Sequence, residues 1–269
     1  KKLSKEISNN YLKNYEKIKK LIKKTPGGHT FSFPNRSVFD FNKIERDKIF
    51  EKAWSKGSLA FRACFGDITK NLKANEKASK FIKEKILKIV KDKKIAKILT
   101  NFDHPFTSKR PTLNTNYYET FNRKNIELID LKTNPIIKIT KKGIKTKNND
   151  FNFDKIIFAT GYDALTGPIL SLNLIGKKKT KLKNFWNKSP KTYLGLMIPN
   201  FPNLFVIQGP GSPSVLTNVP VQIEQHVEWI TNCINFLNTK SKKSIEATLG
   251  SAKKWSNEIK KLADASLFM

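Results

Sequence analysis

Asp154-Lys155-Ile156-Ile157-Phe158-Ala159-Thr160-Gly161-Tyr162-Asp163 is the stretch on which the reading of this chain turns. Ile156, Ile157 and Phe158 form a continuous apolar run, the pattern of a strand covered on both faces. Ala159 and Gly161 carry almost no side chain, so another backbone or a flat ligand can come close. Strands of this kind in open α/β sheets end where ligands bind. The expectation is a buried strand ending at a ligand. An ordinary core strand with a turn after it fits the same ten residues, so the rest of the chain must decide.

Downstream the design recurs. Leu204-Phe205-Val206-Ile207 reads as a second fully apolar strand and runs into the loop Gln208-Gly209-Pro210-Gly211-Ser212-Pro213-Ser214. Asn218 is placed to cap the helix that follows, with Pro220 in its first turn. Ile223, Val227, Ile230, Ile234 and Leu237 then recur at helical spacing and predict that helix's buried stripe. A last helix is expected at about 250–265. Upstream, Ile126–Ile129 and Pro135–Thr140 read as strands, and Ile144–Thr146 as a short return strand after a Lys142-Gly143 turn. Before His104-Pro105 the chain reads as helical, with one amphipathic helix over 4–24, a second at 44–56 closed by Gly57, and a third at about 75–99.

Composition bounds what this material can be. The 269 residues suffice for one large domain or two smaller ones. No apolar run reaches membrane-spanning length. The first residues, Lys1-Lys2-Leu3-Ser4, lead into no signal-peptide core, and the chain does not begin with Met, so it is expected to start inside a longer protein. Two cysteines suit a reduced, cytoplasmic setting, and the histidines His29, His104 and His226 are too scattered to suggest a metal site. The net charge of +30 raises nucleic-acid binding as a rival function. Yet 47 of the 52 basic residues are lysines spread along the whole chain, whereas base-reading surfaces favour the planar fork of arginine. No specific nucleic-acid partner is expected.

The residues between and around the two apolar stretches resemble the C-terminal half of a class B flavoprotein monooxygenase, of the Baeyer–Villiger type. The resembling residues are Lys109-Arg110-Pro111, Tyr117-Tyr118-Glu119, Phe121-Asn122-Arg123, Ala159 to Gly167, Thr192 to Leu196, Phe201-Pro202-Asn203-Leu204-Phe205, Gly209 to Asn218 and Ile223 to Ile230. The similarity is dense from about 102 to 237 and looser from about 45 to 100. The family's glycine fingerprints for FAD and NADP, its Phe-x-Gly-x-x-x-His-x-x-x-Trp signature and its C-terminal tryptophan segment have no counterpart here, so the chain is expected to be a fragment lacking the N-terminal half.

The resemblance implies a partial two-dinucleotide-binding-domain, Rossmann-like α/β flavoprotein. Residues 1–105 would be a helical subdomain inserted in the NADP domain, 106–160 the end of that domain, and 161–269 the C-terminal part of the FAD domain. It further implies FAD and NADP(H) as cofactors, a ketone and O2 as substrates, and a C4a-peroxyflavin route to an ester or lactone. Arg110 would be catalytic, its permanent charge keeping a peroxide deprotonated. Lys109 would meet the 2′-phosphate of NADPH, and Gly161, Tyr162 and Asp163 would form the hinge between the nucleotide domains. Asn218 and Val219 would be flavin neighbours at a helix start. Ser214, Val215 and Leu216 would line the substrate pocket. Asp67 is a further candidate for holding a loop near NADP, while His226, Trp229 and Trp255 read as packing residues. Oxygenation of amines or sulfides by the same fold is the rival chemistry, which the Lys-Arg-Pro turn disfavours.

Overall fold

The computed structural model describes residues 4–25, 27–213 and 217–268. Its N-terminal part is helical. α1 (Lys5–Lys13) and α2 (Tyr15–Lys24) take the place of the single helix expected over 4–24. The break is at Asn14, whose side chain turns back to the Asn10 carbonyl at 2.9 Å and so competes with the backbone ladder. α3 (Lys43–Lys56) opens on a capping box between Asn42 and Glu45 and ends at Gly57, whose φ of 67° few other residues accept. The helix expected over 75–99 is also two: α4 (Leu72–Ile89) and α5 (Lys93–Leu99). Asp92 starts the second by accepting from the amides of Lys94 and Ile95, an N-cap inside an otherwise continuous apolar pattern.

α3 and α4 enclose an aromatic core of Phe50, Phe61, Phe65 and Phe81, with Val38 and Ile68 fully buried beside them. Ring centroids of Phe50 lie 5.2 Å from both Phe65 and Phe81. Burying side chains of this size contributes about 2–3 kcal/mol each. A polar group also sits inside this core. Asn75, on α4, donates to the carbonyls of Ile68 (2.9 Å) and Phe106 (2.6 Å), and its Oδ1 accepts from the Phe106 amide at 2.9 Å. The loop that carries Lys109 and Arg110 is thereby tied to the helical core.

The only sheet among the described residues is a three-stranded antiparallel meander of β1 (Ile136–Ile139), β2 (Gly143–Thr146) and β3 (Asp150–Asn152), in the order β1-β2-β3. A Cβ on Gly143 would lie 1.9 Å from the Phe151 carbonyl oxygen, so the β2–β3 pairing needs glycine there. The expected strand at Ile126–Ile129 pairs with nothing and follows a short helix, α6 (Tyr117–Thr120), as irregular chain.

The decisive stretch departs most from expectation. Residues 154–163 join no sheet and lie on the surface: Ile157 is 90% exposed, Phe158 65% and Tyr162 99%. Their composition is that of a covered strand, but among the described residues no strand lies beside them. Leu204–Ile207 likewise forms only an isolated bridge, Phe205 to Met197, with a bond from the Val206 amide to the Leu196 carbonyl at 2.8 Å.

The C-terminal part packs around Leu182, Trp186, Ile198 and Phe201, near the short helices α7 (Gly167–Ser171) and α8 (Leu182–Phe185), and around Leu196, Met197 and Ala247. Two long helices follow, α9 (Val219–Thr239) and α10 (Leu249–Asp264). The stripe expected to be buried on α9 is not. Ile223, Val227 and Ile234 are exposed, and the buried positions are Gln222 and His226. Trp229 packs on Phe205 at 6.3 Å, and Trp255 donates to the Gly211 carbonyl at 3.0 Å. No helix of the described residues is long and apolar enough to cross a membrane.

Candidate functional site

Residues 27–33 run from the start of α9 to the aromatic core. Asn218, expected as a capping side chain, does not cap α9. Its amide donates to the Gly27 carbonyl at 2.8 Å and its Nδ2 to the Gly28 carbonyl at 2.9 Å. Gly28 has φ 65°, and a Cβ there would press on Asn218 at 3.2 Å. The next residue, His29, stacks on Phe31 with centroids 4.9 Å apart and planes within 3°. Burial, then the charges of Arg62 and Arg110, hold its imidazole below the usual histidine pKa and so favour its neutral form. Asn218 thus binds Gly27 and Gly28 directly, while the charge of Arg110, 108 positions earlier in sequence, is felt by the next residue, His29.

Arg110 itself is exposed, on the loop that Asn75 anchors through Phe106. Thr107 stands at φ 71° in that loop, a conformation a β-branched residue adopts only under constraint. Thr107 and Ser108 are buried, yet neither hydroxyl has a partner. Lys109 is exposed beside Asp103, whose carboxyl is held below its ordinary pKa by its bond to His104 and then by Lys109.

The other expected residues fall into two groups. Gly161, Tyr162 and Asp163 lie on the exposed stretch, with Gly161 at φ 90° and open space where a Cβ would stand. Asp163 packs so tightly against Gly167, at the start of α7, that a Cβ on the glycine would lie 2.3 Å from the carboxylate. Val219 opens α9, and its carbonyl accepts from Gln208 Nε2 at 3.3 Å, tying the Gly/Pro loop to the helix start. Ser214, Val215 and Leu216 lie outside the described residues. Asp67 holds a loop, accepting from Ser37 Oγ at 2.6 Å and from the Val38 amide at 3.1 Å.

Two residues that composition did not single out belong to this region. Arg62 is 5% exposed, with its guanidinium 5.8 Å from the Phe31 ring and 5.9 Å from the Phe33 ring. Asn75 fixes the loop before Arg110. A signal existed for both: Arg62 is one of few arginines in a lysine chain, set between apolar neighbours, and Asn75 interrupts the apolar face of α4. Two open clefts occur elsewhere. One, of about 520 Å³, includes Arg36, Asp67 and Lys70, and the other, of about 660 Å³, includes Thr192, Gly211 and Trp255. Among the described residues no group of three or more histidine, cysteine or acidic side chains could hold a metal ion.

This arrangement offers cations, buried donors and an exposed small-residue turn. It suits an anionic, flat ligand. No protein-family model matches the chain. Among curated proteins, cyclohexanone 1,2-monooxygenase of Acinetobacter sp is 42% identical over 228 residues, covering 83% of this chain and 41% of that enzyme. Phenazine N-monooxygenase PhzNO1 of Lysobacter antibioticus is 34% identical over 262 residues, covering 96% and 48%. Among solved structures, OTEMO in complex with FAD and NADP superposes with a TM-score of 0.96 at 33% identity, over 98% of this chain and 49% of that one. The chain spans about half the length of the curated relatives it matches. In sequence and in fold it resembles the Baeyer–Villiger monooxygenases, of which it matches a partial region of mixed helix and sheet.

Proposed function

We propose that this chain is part of an FAD- and NADPH-dependent monooxygenase that inserts one oxygen atom of O2 next to a ketone carbonyl, giving an ester or lactone. The observation that carries the reading is the bond from Asn218, at the start of α9, to Gly28, beside His29, whose imidazole feels the Arg110 charge. A helix start and a permanent cation acting on neighbouring residues suit an enzyme that stabilises developing negative charge at a flat cofactor. The open turn at Gly161 also fits a dinucleotide. When bound, FAD and NADPH supply the redox chemistry and the activation of O2.

The chain's own residues do the rest. Arg110 holds negative charge beside the reacting carbonyl, a role that needs a group charged at every working pH. Lys109, exposed and flexible, takes the 2′-phosphate of NADPH as a point charge. Asn218 and Val219 face the flavin with the first turn of α9, whose N–H groups lack intrahelical partners. Gly161, Tyr162 and Asp163 act as the hinge between a nucleotide domain ending near 160 and one beginning at 161, with residues 1–105 as a helical insertion. Ser214, Val215 and Leu216 line the substrate pocket. The setting is cytoplasmic, in keeping with two free cysteines.

The test uses the full-length protein that carries this chain, purified with FAD and supplied with NADPH, O2 and cyclohexanone. Lactone is the expected product. Arg110→Ala is expected to lower lactone formation by about a hundredfold or more, while NADPH still bleaches the flavin. N-oxide from an amine, with no lactone from any ketone, overturns the reading.

A further inference from the structure

Arg62 is the charged group that the proposed reaction leaves unused. It sits in the 3-10 turn Leu59–Ala63, buried between the rings of Phe31 and Phe33, and its Nε has no hydrogen-bond partner. Among the described residues no carboxylate pairs with it. Burial, and then the charge of a second cation, Arg110, lower its pKa. A guanidinium stays protonated even so. His29 stacks on Phe31, the ring that Arg62 also approaches, and its Nε2 is buried and unpartnered. An edge contact of Phe61 with Phe106, centroids 5.7 Å apart, sets this turn against the Arg110 loop. There Thr107 Oγ1 and Ser108 Oγ are buried without partners as well.

Buried polar groups in folded proteins are nearly always hydrogen-bonded, and a buried charge is paired. Here polar groups from three segments break that rule together, and all of them can donate a hydrogen bond. One anion would satisfy them. We propose that Arg62 and His29, with the hydroxyls of Thr107 and Ser108, form a cradle beside Arg110 for an oxyanion, the carboxylate or phosphate of an organic ligand. Arginine matches such a group with its planar fork, and the flanking rings of Phe31 and Phe33 offer apolar surface for the ligand's carbon body. The cradle's place next to a reacting ketone rests on the oxygenase reading. On that reading the substrate class is a keto acid, and a phosphate of NADPH is the other source of the same chemistry.

The experiment again uses the full-length protein, with Arg62→Met and Arg62→Lys. Wild type should prefer a cyclic ketone bearing a carboxylate over its neutral analogue by about tenfold in kcat/KM, Arg62→Met should erase that preference, and Arg62→Lys should keep part of it. Inorganic phosphate should raise the melting temperature of the wild type and not of Arg62→Met. If Arg62→Met instead weakens NADP binding about tenfold in a fluorescence titration, with the substrate preference intact, the cradle stands and its ligand is the cofactor phosphate. If no ketone is oxygenated but phosphate still stabilises only the wild type, the cradle stands and the oxygenase reading falls. If phosphate, keto acid and NADP all act alike on wild type and Arg62→Met, with both melting as folded proteins, the proposal is overturned.

Discussion

His226 reads in sequence as one more residue of a helix, and its environment gives it a titration with consequences. It is 5% exposed, and its Nδ1 accepts from the Gln208 amide at 3.2 Å. Burial lowers its pKa below 6.5, and His29 shifts in the same direction. Below pH 6.5 the unfolded chain binds protons that the folded chain refuses. Stability should therefore be complete above that pH and fall as the solution is acidified toward the lower, folded values. Melting temperature measured downward from neutral pH should drop, and His226→Gln should flatten the drop. At this same scale Lys109-Arg110-Pro111 was legible because a motif is contiguous. Arg62 and His29 were not, because their meaning comes from rings and hydroxyls on other segments.

Elements were legible where their stabilisation is local. α3 and α10 begin and end close to where capping residues and apolar spacing put them. α1–α2 and α4–α5 were read as single helices because apolar spacing continues across breaks that polar side chains impose at Asn14 and Asp92. The apolar stretches at 154–163 and 204–207 misled in the opposite sense. A strand exists only if a neighbour supplies hydrogen bonds, and neither stretch finds a ladder among the described residues. The exposed Ile223, Val227 and Ile234 of α9 belong to the same class of error, since apolar spacing shows which residues share a face and not what covers it. The element that matters most for the site is the 106–110 loop, which α4 holds through Asn75. Asn75→Ala would leave the Ile68 carbonyl and both backbone groups of Phe106 without their partner, and should destabilise the protein by about 3 kcal/mol. Denaturant unfolding would measure that loss.

Over the whole molecule charge outweighs every pairwise ion contact. With +30 net charge most lysines can find no acidic partner, and the ion pairs that form are mostly exposed, such as Lys43 with Asp47 at 2.8 Å. Self-repulsion then opposes folding. Raising NaCl from about 20 mM to about 0.5 M should screen it and raise the melting temperature. A fall with salt would mean that specific pairs outweigh the repulsion. Composition and periodicity by themselves determined that the chain is rich in helix, carries no membrane-spanning helix among its described residues, and holds a basic turn at Lys109-Arg110, because each follows from neighbouring residues alone. Only the tertiary structure decided that the apolar stretch at 154–163 is exposed, that Asn218 binds Gly27 and Gly28 rather than its own helix, and that Arg62 lies buried near Arg110. Burial and hydrogen-bond pairing depend on which distant segments arrive, and no local pattern encodes that.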